Sequence, residues 1–212
     1  MAGNDYGFTL VTGPVEEPIT RDQAKKQLEI PLSDYNHDNH IDLLIKAARE
    51  RMENETNRQI ITATWTLVLD RFPLQERIYL PKAPLQSVTS VTYTDTTGAS
   101  QTLATSVYKT LSSRSPGYVA LRRSQVWPGT YDEDGVVSII YVCGYGLLPS
   151  NVPAGIQQAM MMMIGHWFEH REETVVGTNA LSLPNGVQNL IDAYRIGDGY
   201  FNYGYDDYSC NG

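Results

Sequence analysis

The hydrophobic period changes twice along this chain, and that double change limits the folds open to it. Ile41, Leu44, Ile45, Ala48 and Met52 recur at i, i+3, i+4, i+7 and i+11, which places them on one face of a helix over about residues 40–56. From Ile60 the pattern becomes that of strands. ATWTLVLDRF is rich in β-branched and aromatic residues, and strand and turn signals continue to about residue 145. Helical spacing then returns with Ile156, Met160, Met163 and Trp167. A β block is therefore inserted into a small helical framework.

The remaining elements follow from local signals. Residues 1–18, punctuated by Gly3, Gly7, Gly13, Pro14 and Pro18, read as an extended arm. Thr20 and Gln23 have the spacing of a capping box, so a short helix starts there, and Pro31 is expected to end it. Asp38 or Asn39 is expected to cap the long helix, with Asn57 as its stop. Residues 87–110 read as a hairpin about the turn at 96–98, and YVALRR and VVSIIYVCGY supply two more strands. That gives about five or six strands, enough for a small sheet. Pro153 suits the first turn of the later helix. Residues 174–184 read as a loop, and a last helix over 187–194 turns Val187, Leu190, Ile191 and Tyr194 inward.

The expected fold class is α+β: a helical bundle from residues 19–59 and 150–196, an antiparallel β domain inserted at 60–149, and extended arms at 1–18 and 197–212.

Composition narrows the function. The chain has 212 residues and a formal net charge of −8, which disfavours tight binding to a phosphate backbone. Lys25-Lys26 and Arg122-Arg123, its small basic clusters, read as solvated faces. No apolar run approaches the ~18–20 residues of a membrane span, and the N-terminus lacks the basic and apolar regions of a secretory signal. Cys143 and Cys210 read as free thiols in a reducing compartment.

Candidate chemistry is thin. Asp34, Asn36 and Asp38 open like a calcium loop, but Asn39 and Ile45 stand where that loop needs Gly and a bidentate Glu. His37 with His40, or His166 with His170, could share a metal. Trp167, however, follows His166 where a zinc protease places its Glu. Asp132, Glu133 and Asp134 read as a solvated hairpin tip. No phosphate loop, nucleophile elbow or Cys-x-x-Cys pair is present. The expectation is no catalytic residue, no cofactor and no metal.

The aromatic residues point to assembly instead. Met161, Met162, Ile164 and Phe168 widen the apolar face of the later helix beyond one side, as suits packing within a subunit and against a neighbour. Met160, Met163, Trp167 and Phe168 are accordingly candidate interface residues. Tyr200, Phe201, Tyr203, Tyr205 and Tyr208 lie in a Gly-rich tail and read as a partner-docking arm. A rival reading is a carbohydrate- or surface-binding β module that presents Trp127 and Tyr131 around a groove, and a third is a small hydrolase using the two His pairs.

The ordered series ITRDQAKKQLEI, HIDLLIKAARERMENETNRQI, WTLVLDRFP, IYLPKAPLQSVTSVTYTDTTG, VVSIIYVCGYG and VPAGIQQAMMMMIGHWFEHRE resembles the head–tail connector (adaptor) proteins of tailed bacteriophages. The resemblance is to the branch with a β insertion between helices and spans about residues 8–173. It implies a structural virion protein without enzymatic activity, assembled in the host cytoplasm and placed in the virion neck. Such proteins form rings, usually dodecameric, between the portal protein and a head-closure or tail-completion protein. DNA passes through the ring without specific binding, and a negative chain suits that channel.

Overall fold

The computed structural model describes residues 6–170, 185–201 and 203. The chain divides into two compact units. One gathers residues 14–62 and 145–196; the other gathers 1–13, 63–144 and 197–212.

The first unit is helical. α1 (Arg21–Gln27) begins in the expected capping box: the Thr20 hydroxyl accepts from the Gln23 amide at 3.2 Å, and the Thr20 amide donates to Gln23 Oε1 at 2.8 Å. The helix stops before Pro31. Glu29 takes a left-handed φ of 57°, while the amides of Ile30 and Glu29 reach back to the carbonyls of Lys25 and Lys26 at 2.9 and 3.3 Å. This is a Schellman turn built without glycine, which is why no sequence signal marks it.

α2 (Asp38–Thr56) buries Ile41, Leu44, Ile45, Ala48 and Met52 as the spacing predicts, and Asn57 ends it with a φ of 55°. α3 (Ala154–Glu169) and α4 (Asn185–Tyr194) complete the unit, and Ile156, Ala159, Met160, Met163, Ile164, Val187 and Ile191 join the same core. Gly155 lets α4 close on α3: a Cβ there would lie 2.8 Å from the Tyr194 hydroxyl.

Three polar residues depart from the sequence reading. Lys25 is not on a solvated face but only 2% exposed. Its ammonium meets the Asp38 carboxylate at 2.5 Å and the Asp34 carbonyl at 2.7 Å, beneath the Tyr35 ring. Asp38, expected as a cap, sits inside the first turn of α2 and pairs with Lys25 and with Arg21 at 2.9 Å; His37 holds the cap position without a side-chain hydrogen bond. Its charge still favours the helix N-terminus.

Glu53, placed by its spacing away from the apolar face, is buried. Its carboxylate accepts from Arg49 Nη1 at 3.0 Å, Gln59 Nε2 at 2.6 Å and the Ile60 amide at 3.1 Å. Arg49 also donates to Glu17 at 2.8 Å. Burial works against the Arg49 charge, but Glu17 and Glu53 outweigh it and raise its pKa.

Among the described residues, the second unit is β apart from a 3-10 turn at Asp198–Phe201. β1 (Tyr6–Thr12), β2 (Ala63–Leu69), β4 (Leu85–Thr94), β5 (Ser100–Thr102) and β8 (Val137–Cys143) form one antiparallel sheet in the order β1-β2-β8-β4-β5. β3 (Arg77–Tyr79), β6 (Tyr108–Leu111) and β7 (Tyr118–Leu121) form a second, in the order β3-β7-β6. The alternation on β8 is regular, with Val137, Ile139, Tyr141 and Cys143 all buried.

Two expectations change here. The segment read as a free N-terminal arm supplies β1, paired with β2 from Tyr6↔Leu69 to Thr12↔Thr64. The second strand expected for the 87–110 hairpin is cut in two. β5 pairs β4 over Thr92–Thr94 only, and β6 crosses to the other sheet to pair β7. Polar residues such as Ser106 and Lys109 offer no continuous apolar face to hold a single long strand.

Candidate assembly surfaces

The interface residues expected from sequence divide by burial. Met160 and Met163 are fully buried in the helical core, so neither presents a surface. Methionine fills irregular gaps, and here α1, α2 and α4 close around it. Trp167 and Phe168 are half-buried on the last turn of α3, packed against the same core. Phe168 is flanked by two imidazoles, His37 edge-on at 5.6 Å and His40 tilted at 5.9 Å. His166 and His170 stack at 4.8 Å one turn apart, and His170 Nδ1 lies 3.0 Å from the His166 carbonyl. The first His pair is thus engaged with an aromatic ring, and the second with its own helix end.

Exposed apolar residues of the helical unit include Leu43 on α2, Tyr35 and Leu32 in the loop before it, and Leu147 and Leu148 before α3. A groove of about 500 Å³ runs beside α1 and is lined by Glu16, Glu17, Arg21, Asp42 and Lys46 around Ile19, Ile45 and Pro149. Arg21 fixes one wall. Its guanidinium takes both Asp42 oxygens, raising the Arg21 pKa and lowering that of Asp42. Gln157 ties the groove's ends together by donating to the carbonyls of Pro18 and Pro149 at 3.2 and 2.8 Å. Neither the spacing nor the composition of these residues reveals the groove, because its walls come from three separate segments.

The tail does not leave the β unit at Gly197. Phe201 and Tyr203 are buried, which runs against a freely extended arm. The Tyr203 hydroxyl donates to the Tyr79 carbonyl at 2.6 Å, and its ring stands edge-on to Tyr6 at 4.9 Å. Burial raises the Tyr203 pKa, with Tyr6 adding to the effect. Tyr200 stays exposed against Tyr79, with centroids 5.4 Å apart. Tyr205 and Tyr208 lie outside the described residues.

The surfaces favoured by the rival readings are also partly used. Trp127 stacks on Phe72 at 5.0 Å with rings 2° from parallel, and its indole N–H donates to the Gln75 carbonyl at 2.9 Å. One face of that ring and its one polar atom are engaged, which leaves Tyr131 as the exposed aromatic of the pair. Asp132, Glu133 and Asp134 line a hollow of about 270 Å³ with Asp70, Arg71, Thr130 and Tyr131. The Gly135 amide donates to Asp70 at 2.8 Å, so the acidic loop is pinned as a turn.

A family model for head completion proteins matches residues 19–196. The chain belongs to that family. Its fold is shared with solved virion components. A chain in the neck of the empty GTA particle computed with C6 symmetry is 20% identical, with a TM-score of 0.74, covering 89% of this chain and 95% of the other. A chain in the virion of the native gene transfer agent particle is 21% identical with a TM-score of 0.73, covering 89% and 94%. One in the neck of the native GTA particle computed with C12 symmetry is 20% identical with a TM-score of 0.68, again covering 89% and 94%. No curated protein matches by sequence. This head completion family member therefore has the α+β fold of those chains, helical framework and β insertion included.

Proposed function

We propose that the chain is a structural subunit of a virion neck. It forms a ring that connects the portal protein to a head-closure or tail-completion protein and encloses a channel for DNA. The observation that carries this reading is the head completion family match across residues 19–196. The shared fold of chains in GTA necks computed with C6 and C12 symmetry supports it. A formal net charge of −8 is compatible with DNA sliding past without sticking. The role is mechanical rather than catalytic.

In this reading the helical unit makes the ring contacts. Trp167 and Phe168 at the end of α3 and the exposed Leu43 of α2 are available to it, whereas Met160 and Met163 support it from the core. Tyr200, exposed beside the anchored Phe201 and Tyr203, marks the start of the portal-docking tail. Electron microscopy of the full chain mixed with its portal tests the proposal: a ring seated on the narrow end of the portal is expected, and absence of any association overturns it. Truncation after Tyr203, which keeps both anchors, is expected to leave a folded subunit that no longer binds the portal.

A further inference from the structure

In the helical unit Arg21, Lys25, Arg49, Arg51 and Arg195 each meet a carboxylate. The three-stranded sheet of the β unit differs. Arg77, Lys109 and Arg122 are exposed there, and none has a carboxylate at ion-pair distance among the described residues. Arg77 and Lys109 are both register partners of Ala120, so they lie on one face, either side of a small residue. Arg122 stands two residues beyond Ala120 and continues that face, because its amide extends the ladder to the Val107 carbonyl at 2.9 Å. Tyr79, Tyr118 and Leu111 complete the face, which carries no carboxylate. The opposite face places Ile78 and Val119 in the core.

Neutral groups hold two of these charges in place. Arg77 is hydrogen-bonded to the Tyr79 side chain, and its guanidinium lies over the Tyr118 ring at 5.3 Å; the Glu76 charge acts on it least. Arg122 Nε donates to the carbonyls of Tyr108 and Thr105 at 3.0 and 3.3 Å, which leaves both terminal nitrogens without a partner among the described residues. A cation fixed by neutral partners keeps its full charge and loses little freedom on meeting an anion.

We infer that this sheet face is a contact for the phosphate backbone of DNA, with Arg77, Lys109 and Arg122 each meeting a phosphate. Three unpaired cations select an anion. They are spread over strands two spacings apart, ~10 Å, which suits the successive charges of a polymer better than one small anion. Their position selects phosphates over an acidic protein. Protein interfaces deplete charge at the centre and keep it for the rim, whereas here the charges flank the middle strand. The Tyr118 ring is engaged by Arg77 and, at 5.2 Å, by Tyr79, so the contact reads charge and not bases. Three phosphates are few, and the chain as a whole carries −8, so the DNA is touched without being trapped. The inference rests on the neck proposal only for the presence of DNA.

Fluorescence anisotropy of a short labelled duplex of random sequence, titrated with the full chain at several salt concentrations, is the direct test. Neutralising three phosphates gives a slope of about −2.7 in log K against log salt, so doubling the salt weakens binding roughly six-fold. Arg77→Gln and Lys109→Gln are each expected to bring the slope about 0.9 closer to zero and to weaken binding to unrelated duplexes alike, with circular dichroism unchanged. Lys26→Gln makes the same charge change at an exposed position of α1 and is expected to leave the slope as it was. No binding at low salt, or a slope indifferent to both sheet substitutions, overturns the inference. Competition by poly-glutamate as strong as that by unlabelled duplex also overturns it, and makes the face a site for acidic protein. Ring formation by the Arg77→Gln protein on the portal is scored separately, so failure here leaves the ring proposal standing.

Discussion

Replacing Arg49 by Met tests the buried ion network at the base of α2. The substitution keeps much of the side-chain stem and removes the guanidinium that joins Glu17 to Glu53. Arg49 and Glu53 side chains are 11% and 9% exposed, so the Glu53 carboxyl would be left with little water to replace its partner. Removing one member of a buried pair costs ~3–5 kcal/mol. Glu53 keeps hydrogen bonds from Gln59 and Ile60, which places the expected loss near the lower end, about 3 kcal/mol. For a chain of this length that corresponds to a fall in melting temperature of roughly 6–12 °C.

The companion variant is the double Arg49→Met, Glu53→Gln. Gln still accepts from the Ile60 amide but carries no charge, so the double should be more stable than Arg49→Met alone. Urea denaturation of the wild type, both single variants and the double closes the cycle. If Arg49→Met alone falls within ~0.5 kcal/mol of wild type, or the two losses simply add, the network is not the coupled unit described here.

Four further outcomes are expected. Asp95, in the turn between β4 and β5, accepts from the Thr97 hydroxyl, Gln101 and the amides of Ala99 and Thr97, which hold its pKa down to about 2. A folded pKa below the unfolded one gives stability that is complete above the unfolded pKa and disappears as pH falls through about 2. Carboxyl NMR titration should show that midpoint, and an ordinary aspartate value would refute the assignment. Gly117→Ala puts a Cβ 2.4 Å from the Leu85 Cβ and should cost ~1–3 kcal/mol in denaturant, partly relieved by Leu85→Ala. Tyr203→Phe should cost about 1 kcal/mol by losing the bond to the Tyr79 carbonyl. Truncation after Gly197 should cost more than truncation after Tyr203, because it also removes buried Phe201.

What was legible in the sequence was periodic. The buried face of α2, the Thr20–Gln23 box and the alternation of β8 follow from spacing, because a repeated choice of apolar or polar residue records which side faces the core. What was not legible depends on distant partners. Lys25 looks like any surface lysine until Asp38 and the 32–34 carbonyls fold over it. Glu53 sits off the apolar stripe by counting, yet Arg49, Gln59 and Ile60 make its burial tolerable. β1 was hidden by its glycines and by the lack of any local sign that β2 would accept it. Of the interface candidates, the sequence could show that Met160 and Met163 are apolar and helical. It could not show that α4 packs on α3, since that contact joins segments far apart in the chain.

The inserted segment 63–144 leaves and re-enters the helical unit through a zipped doorway. The Tyr145 amide donates to the Ile60 carbonyl at 3.0 Å and the Thr62 amide to the Gly146 carbonyl at 3.0 Å. From the standpoint of the helices, everything from Ala63 to Gly144 is one closed loop with clamped ends. The entropy of closing such a loop grows only with the logarithm of its length, so doubling it costs only ~0.6 kcal/mol. The helical framework can therefore carry β blocks of very different size with little change in its own stability. Variation in what the framework displays is cheap, and variation at the doorway itself is not.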